Sequence, residues 1–244
     1  HFHAKPVILG SLAARRALGD GVRVVNAITG LGHAFITGGV TSRLAGMGYG
    51  LARSSTDRTI FQNRDDRALF VQRDWVDEDR ARLIPGAGVD VERFSLADRR
   101  DRDGTSPVVV MLGRLLRQKG IPEFVEVARR VKQVWPGATF LLAGEEDPVH
   151  PDAVTGQWVR EQKSVEYLGR LTDVRSMLAK ADLLLFPSYR EGVPRAVLEA
   201  AASGLPTVAF DVPGVREAVR ESETGYLVPF SDVDELTDRV KTLL

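Results

Sequence analysis

The chain has 244 residues, with 33 Lys and Arg balanced by 33 Asp and Glu, so its formal net charge is zero and no basic excess points to nucleic acid. It contains no cysteine, which excludes disulfides, thiolate zinc sites and a cysteine nucleophile, and fits a reducing compartment. No apolar run approaches the ~20 residues that span a bilayer and no signal-peptide pattern opens the chain, so a cytoplasmic protein is expected. Length alone leaves one large domain or two small ones open.

In chain order, His1-Phe2-His3-Ala4-Lys5-Pro6 reads as the end of a strand entering a helix, and the chain is therefore expected to be a fragment. Strands are expected over Val22–Ile28, Thr59–Gln62 and Arg82–Ile84, with helices between them. Val40–Arg53 places Leu44, Met47, Gly48 and Leu51 at helical spacing beside Arg43 and Arg53. That pattern suits a core-facing helix or an interfacial one lying on a membrane. Pro85-Gly86-Ala87-Gly88 and the mixed-sign run Ala97–Gly104 read as linker, with a boundary near residue 100. From Pro107 onward short apolar runs alternate with helical periods, the pattern of βαβ units on a parallel sheet. The strands are Val108–Leu112, Thr139–Ala143, Val165–Leu168, Leu183–Phe186 and Thr207–Phe210. Between the first two, Phe124, Ala128, Val131 and Val134 or Trp135 mark an amphipathic helix opened by Pro122 and closed by Pro136-Gly137.

The candidate chemistry lies just after these strands, where doubly wound sheets bind ligands. Glu191 and Glu199 stand eight positions apart across the entry to a helix whose first position is expected at Pro194. The N–H groups of Gly192 and Val193 then point forward as an anion site suited to a pyrophosphate. At about 1.5 Å rise per residue Glu199 lies roughly 8 Å further along, within reach of the ribose of the same nucleotide. Glu191, on the loop, can meet a sugar hydroxyl or positive charge at an anomeric carbon. The plainer alternative is a helix-start carboxylate and a solvated face residue. After the first C-terminal strand, Gly113 brings the backbone close and Arg114 and Lys119 are placed for a diphosphate, which makes a metal unnecessary. Gly169, Arg170 and Leu171 can line the base or form a plain turn. Gly144-Glu145-Glu146-Asp147 is expected to face solvent rather than hold a metal, and Asp182 to cap or turn.

Together, Gly113-Arg114, Lys119-Gly120, Gly169, Ala181-Asp182, Pro187-Ser188, Glu191-Gly192-Val193-Pro194, Leu198-Glu199-Ala200, Gly204-Leu205-Pro206 and Gly225-Tyr226-Leu227-Val228 resemble the C-terminal domain of glycosyltransferase family 4. The resemblance covers roughly Pro85 to the C-terminus. It implies an α/β GT-B architecture of two Rossmann-like doubly wound parallel-sheet domains, here with the N-terminal one incomplete. Residues 1–88 would be a partial acceptor-binding domain, 89–106 a linker and 107–244 the nucleotide-sugar-binding domain. It implies transfer with retention, without an obligatory metal or other cofactor. Glu191 and Glu199 would contact donor sugar and ribose, and Arg114 and Lys119 the diphosphate.

In the N-terminal block, Lys5-Pro6, Gly10–Arg15, Thr29–Phe35 and Ile60–Asp66 resemble the subgroup of bacillosaminyl-diphospho-undecaprenol galactosyltransferases and capsule or O-antigen sugar transferases. This implies a UDP-sugar donor and a polyprenyl-diphosphate-linked sugar acceptor at the inner face of the cytoplasmic membrane. Where many relatives carry a His after this strand, the chain has Thr29; His33 is either its replacement or an ordinary partly buried histidine. The resulting expectation is a hexosyltransferase moving a hexose or N-acetylhexosamine, with Glu191, Arg114 and Lys119 as its catalytic residues. The alternatives are a UDP-sugar epimerase of the same architecture or a non-catalytic nucleotide-sugar-binding fragment.

Overall fold

The computed structural model describes residues 1–32, 35–36, 38–95 and 106–244; His33 and the charged run Ala97–Gly104 lie outside the described residues. The chain forms two units. The first holds His1–Ala87 together with Arg190–Pro194 and Pro213–Glu217, and the second holds Gly88–Tyr189, Arg195–Val212 and Ala218–Leu244.

In the first unit β1 (Val25–Ile28), β2 (Arg58–Phe61) and β3 (Ala81–Leu83) make a parallel sheet in that order. His1 and Phe2 run beside β1 as the expected strand end: the His1 amine donates to Val25 O at 2.7 Å and Ala27 N–H donates to His1 O at 2.8 Å. Pairing begins at Val25 rather than the expected Val22. The Val24 N–H is taken by the Asp57 carboxylate at 2.7 Å, although its carbonyl still accepts the Asp57 N–H at 2.9 Å. Helices α1 (Ser11–Leu18), α2 (Gly39–Ala52) and α3 (Arg64–Gln72) accompany the sheet.

Aromatic rings fill the first core. Phe70 sits 4.7 Å from Tyr49, 5.0 Å from Phe61 and 5.1 Å from Trp75, ring centre to ring centre. Burial, with the Asp66 carboxylate second, pushes the Tyr49 phenol up to about 12. The face of α2 that enters this core is Gly46, Tyr49 and Ala52. Leu44, Met47 and Leu51 are 62–70% exposed, which removes the core-facing reading for those three residues. Arg53 is not a loose cation beside them either, since its guanidinium is held by Asp77 and Asp74.

The second unit is built on six parallel strands: β4 (Val108–Leu112), β5 (Thr139–Ala143), β6 (Glu166–Tyr167), β7 (Leu183–Phe186), β8 (Thr207–Phe210) and β9 (Gly225–Val228), ordered β6-β5-β4-β7-β8-β9. The chain winds outward from β4 to β6, then restarts on the other side of β4 at β7, so the strand order reverses between β4 and β7. A crevice at the carboxyl ends of these two strands is the place such sheets bind ligands. Strands β4, β5, β7 and β8 occupy the expected residues because both faces are covered and the runs are continuously apolar. β6 is shorter than expected, since Val165 N–H closes a turn onto Gln162 O. β9 follows the polar turn Arg220–Thr224 and was not expected as a strand.

Helix α4 (Ile121–Val134) buries Phe124, Val127, Ala128 and Val131 completely. Val134 is 59% exposed, so Trp135, half-buried, is the residue that closes the apolar stripe. Helices α5 (Gly156–Glu161), α6 (Arg175–Leu178), α7 (Arg195–Ala202) and α8 (Val233–Leu243) complete the unit. Asp182 acts as expected: its carboxylate accepts the Val108 N–H at 2.8 Å and so caps the start of β4.

Candidate active site

The turn after β4 is fixed by its neighbours before any side chain acts. Gly113 N–H donates to Ala143 O at 3.0 Å and Leu115 N–H to Glu145 O at 2.9 Å. Leu115 and Leu116 are fully buried and anchor the loop, which leaves Arg114 exposed and Lys119 half-buried. Gly113 faces the lysine stem: a Cβ built on it would lie 4.0 Å from Lys119 Cβ. The helical turn Arg117–Lys119 ends at Gly120, whose φ is 81°. A Cβ at Gly120 would stand 2.1 Å from Pro187 O, so only glycine lets this loop seat on the end of β7. Tyr189 N–H donates to Gln118 O at 2.9 Å and completes the seam. The carboxyl ends of β4 and β7 are thus joined backbone to backbone at the switch point. Below the seam the Tyr189 hydroxyl donates to Glu123 at 2.5 Å, and burial followed by that carboxylate raises the phenol's pKa.

In the acidic loop after β5, Glu145 and Glu146 face solvent as expected, while Asp147 is half-buried. Asp147 pairs with Arg114 at 2.8 Å and Glu145 with Arg170 at 3.4 Å. Gly144 N–H donates to Gly169 O at 2.9 Å, which ties the candidate base-lining turn Gly169-Arg170-Leu171 to the same edge. Two candidate cations therefore carry carboxylate partners. Glu199, on α7, is held by Arg195 one turn earlier at 3.0 Å; the arginine side chain is 75% exposed and the glutamate 13%. Among the described residues no group of three or more His, Cys, Asp or Glu is placed to hold a metal ion.

Glu191, Gly192, Val193 and Pro194 belong to the first unit, whereas Gly113, Arg114, Lys119, Gly169, Arg170, Leu171 and Glu199 belong to the second. Helix α7 starts at Arg195, one residue later than expected, and the buried Pro194 precedes it. Glu191 is half-buried, with its N–H donated to Pro213 O at 3.1 Å. A Cβ on Gly192 would meet Thr29 O at 2.1 Å, so the backbone at Thr29 lies directly against the loop. Gly192 O accepts the Asn63 side-chain amide at 3.0 Å. Asn63 caps α3, accepting the Asp66 N–H at 2.7 Å, and Asp66 pairs with Arg190. In the sequence, Asn63 and Asp66 stood out only within the Ile60–Asp66 motif and Asp147 only within the acidic loop, none with these partners, and Arg190 did not stand out at all. An Asn followed three residues later by an acid is a readable helix-start signal, but nothing in it announces a partner more than 120 residues away.

A family model described as Glycosyl transferases group 1 matches residues 106–244. The chain is 28% identical over 231 residues to N,N'-diacetylbacillosaminyl-diphospho-undecaprenol alpha-1,3-N-acetylgalactosaminyltransferase of Campylobacter jejuni, covering 89% of the chain and 60% of that protein. It is 29% identical over 194 residues to UDP-Gal:alpha-D-GlcNAc-diphosphoundecaprenol alpha-1,3-galactosyltransferase of Escherichia coli, covering 75% and 50%. The chain thus spans between half and three-fifths of the length of these relatives. Among solved structures, sucrose-phosphate synthase from Thermosynechococcus elongatus matches with a TM-score of 0.82 at 23% identity, over 99% of the chain and 63% of that protein. Two parallel sheets of this kind are the GT-B fold.

Proposed function

Since the chain belongs to the glycosyl transferases group 1 family, we propose that the protein is a retaining hexosyltransferase. It moves a hexose or N-acetylhexosamine from a UDP-sugar to a polyprenyl-diphosphate-linked glycan during cell-surface glycan assembly. The observation that carries this reading is the Gly113–Gly120 loop, which stands at the sheet's switch point, seats on Pro187 and presents Arg114 and Lys119. The names of the C. jejuni and E. coli relatives, with their diphospho-undecaprenol acceptors, support the acceptor class. The E. coli name supports UDP as the carrier.

In this reading Arg114 leaves Asp147 for the diphosphate and Lys119 adds a point charge beside it. Gly113, Gly192, Val193 and Pro194 bring backbone to the phosphates, Gly169, Arg170 and Leu171 line the base, Glu199 exchanges Arg195 for the ribose hydroxyls, and Glu191 meets the sugar. The bond from the anomeric carbon to the β-phosphate oxygen breaks, the acceptor hydroxyl bonds to that carbon on the same face, and its proton passes to the departing phosphate oxygen. Such a front-side step needs charge stabilisation more than a side-chain base. No cofactor takes part. Residues 1–88 serve the acceptor and 107–244 the donor, with 89–106 between them. The apolar stripe on α2, with Arg43 beside it, meets the inner membrane face that bears the acceptor.

Arg114→Ala and Lys119→Ala are each expected to lower turnover of UDP-galactose or UDP-N-acetylgalactosamine by about 100-fold in the whole protein. Steady-state transfer to a diphosphate-linked acceptor measures it. Turnover unchanged in both variants sinks the proposal, and so does calorimetry showing no binding of UDP-sugars.

A further inference from the structure

The first turn of α3 spends four consecutive residues on partners far along the chain. Asn63 donates its amide to Gly192 O at 3.0 Å. Arg64 N–H donates to Glu217 at 2.9 Å, and the Asp65 carboxylate takes Arg216 at 3.0 Å. Asp66, fully buried, takes the guanidinium of Arg190, which is itself 16% exposed. These four contacts grip the two excursions of the first unit, Arg190–Pro194 and Pro213–Glu217.

The Asp66–Arg190 pair is costly as a mere fastener. Both charges leave water, and Arg190 Nε is buried with no hydrogen-bond partner among the described residues. An apolar pair of the same volume would hold a fold as well or better. What the ion pair adds is direction. One carboxylate oxygen of Asp66 receives Arg190, and the other receives the Asn63 amide at 3.0 Å. That same amide holds Gly192 O, so the residues on either side of Glu191 are tied to one carboxylate. The Glu191 N–H, donated to Pro213 O, fixes the peptide between them. The Asn63 amide also reaches Glu191 O at 3.4 Å, so the Glu191 backbone is clamped before, at and after its own position.

We propose that Asp66, acting through Arg190 and Asn63, is a positioning residue that aims the Glu191 carboxylate at the donor sugar. The inference rests on the reading of Glu191 as the sugar contact given above.

Two variants of the whole protein test it. Asn63→Ser keeps an N-cap acceptor for α3 but removes the amide shared by Asp66 and Gly192. Asp66→Asn combined with Arg190→Met removes the ion pair without stranding a buried charge. Calorimetry with UDP, UDP-galactose and UDP-N-acetylgalactosamine separates the nucleotide's contribution from the sugar's. In both variants the gain from the sugar and kcat are each expected to fall by about tenfold, the loss of one good contact; UDP affinity stays within about twofold in the Asp66→Asn/Arg190→Met variant, whereas Asn63→Ser, which also frees Gly192 O, lowers it as well. Folded variants that keep the sugar-dependent gain and kcat overturn the positioning role while leaving the function intact. Wild-type protein that binds UDP but gains nothing from the sugar overturns both the role of Glu191 and this inference. If Asn63→Ser also fails to show a cooperative melt, the turn is a structural fastener and the proposal falls.

Discussion

At Gly120 two demands meet on one residue: a φ of 81° and a carbonyl oxygen where any Cβ would stand. Gly120→Ala is expected to cost about 3 kcal/mol or more, combining left-handed backbone strain with displacement of Pro187. For a chain of this length that is a drop in melting temperature of roughly 6–12 °C by calorimetry. A fall under about 2 °C would mean the β4 and β7 loops are not seated as described. Glu199 shows the opposite balance. Its partner Arg195 is three-quarters exposed, so their one-turn pair contributes at most a few tenths of a kcal/mol. Arg195→Ala should leave stability and UDP affinity nearly unchanged. Glu199→Ala should weaken UDP by about 10- to 100-fold if it accepts both ribose hydroxyls, each bond being charge-assisted. Equal effects of the two changes on UDP binding would remove Glu199 from the ribose.

Among the elements, those buried on both faces were the most legible. Val108–Leu112 and Leu183–Phe186 announce themselves by unbroken apolar runs, and the structure starts and stops them where those runs do. β9 escaped because Gly225 opens it within a polar turn, so its short run carries no period of its own. The glycine turn after β4 with its two cations was legible in the sequence, but Asp147 as the partner of Arg114 was not, since that contact joins two strand ends 33 residues apart. α2 misled in a more instructive way. Its largest apolar residues suggest the buried stripe, yet the core takes Gly46, Tyr49 and Ala52, because a crowded aromatic cluster admits small residues at its edge and one ring. The exposed Leu44 and Met47 are therefore the place to test membrane contact. The double change Leu44→Ser and Met47→Ser should abolish co-sedimentation with anionic vesicles, and Arg43→Glu should weaken it. Vesicle binding unaltered by either, or absent in the unmodified protein, would remove the membrane from the proposed function.

Taken whole, the molecule carries groups shifted at both ends of the pH range. The Glu126 carboxylate, hydrogen-bonded first by Arg129 and also by Arg130, is lowered from 4.5 to about 2. Its contribution is present above pH 4.5 and lost as pH falls through 2; with a third of the side chain exposed, it amounts to less than about 1 kcal/mol. Tyr49 works at the other end. Its phenol, raised from 10 to about 12, leaves stability whole below pH 10 and removes roughly 2–3 kcal/mol as pH climbs through 12. Denaturant unfolding from pH 3 to 12 should show a shallow acid loss and a steeper alkaline one, and Tyr49→Phe should reduce the steeper one, the raised Tyr189 and Tyr167 phenols keeping the rest. A further consequence follows from the grip of α3's first turn on Arg190 and Arg216. On the ribosome, the β-strands and helices before Ala87 emerge long before the segment that completes them. Synthesis of the ~100 residues between Ala87 and Arg190 takes roughly 5–20 s, during which Asp66 has no Arg190 to pair with and its carboxylate is left to water.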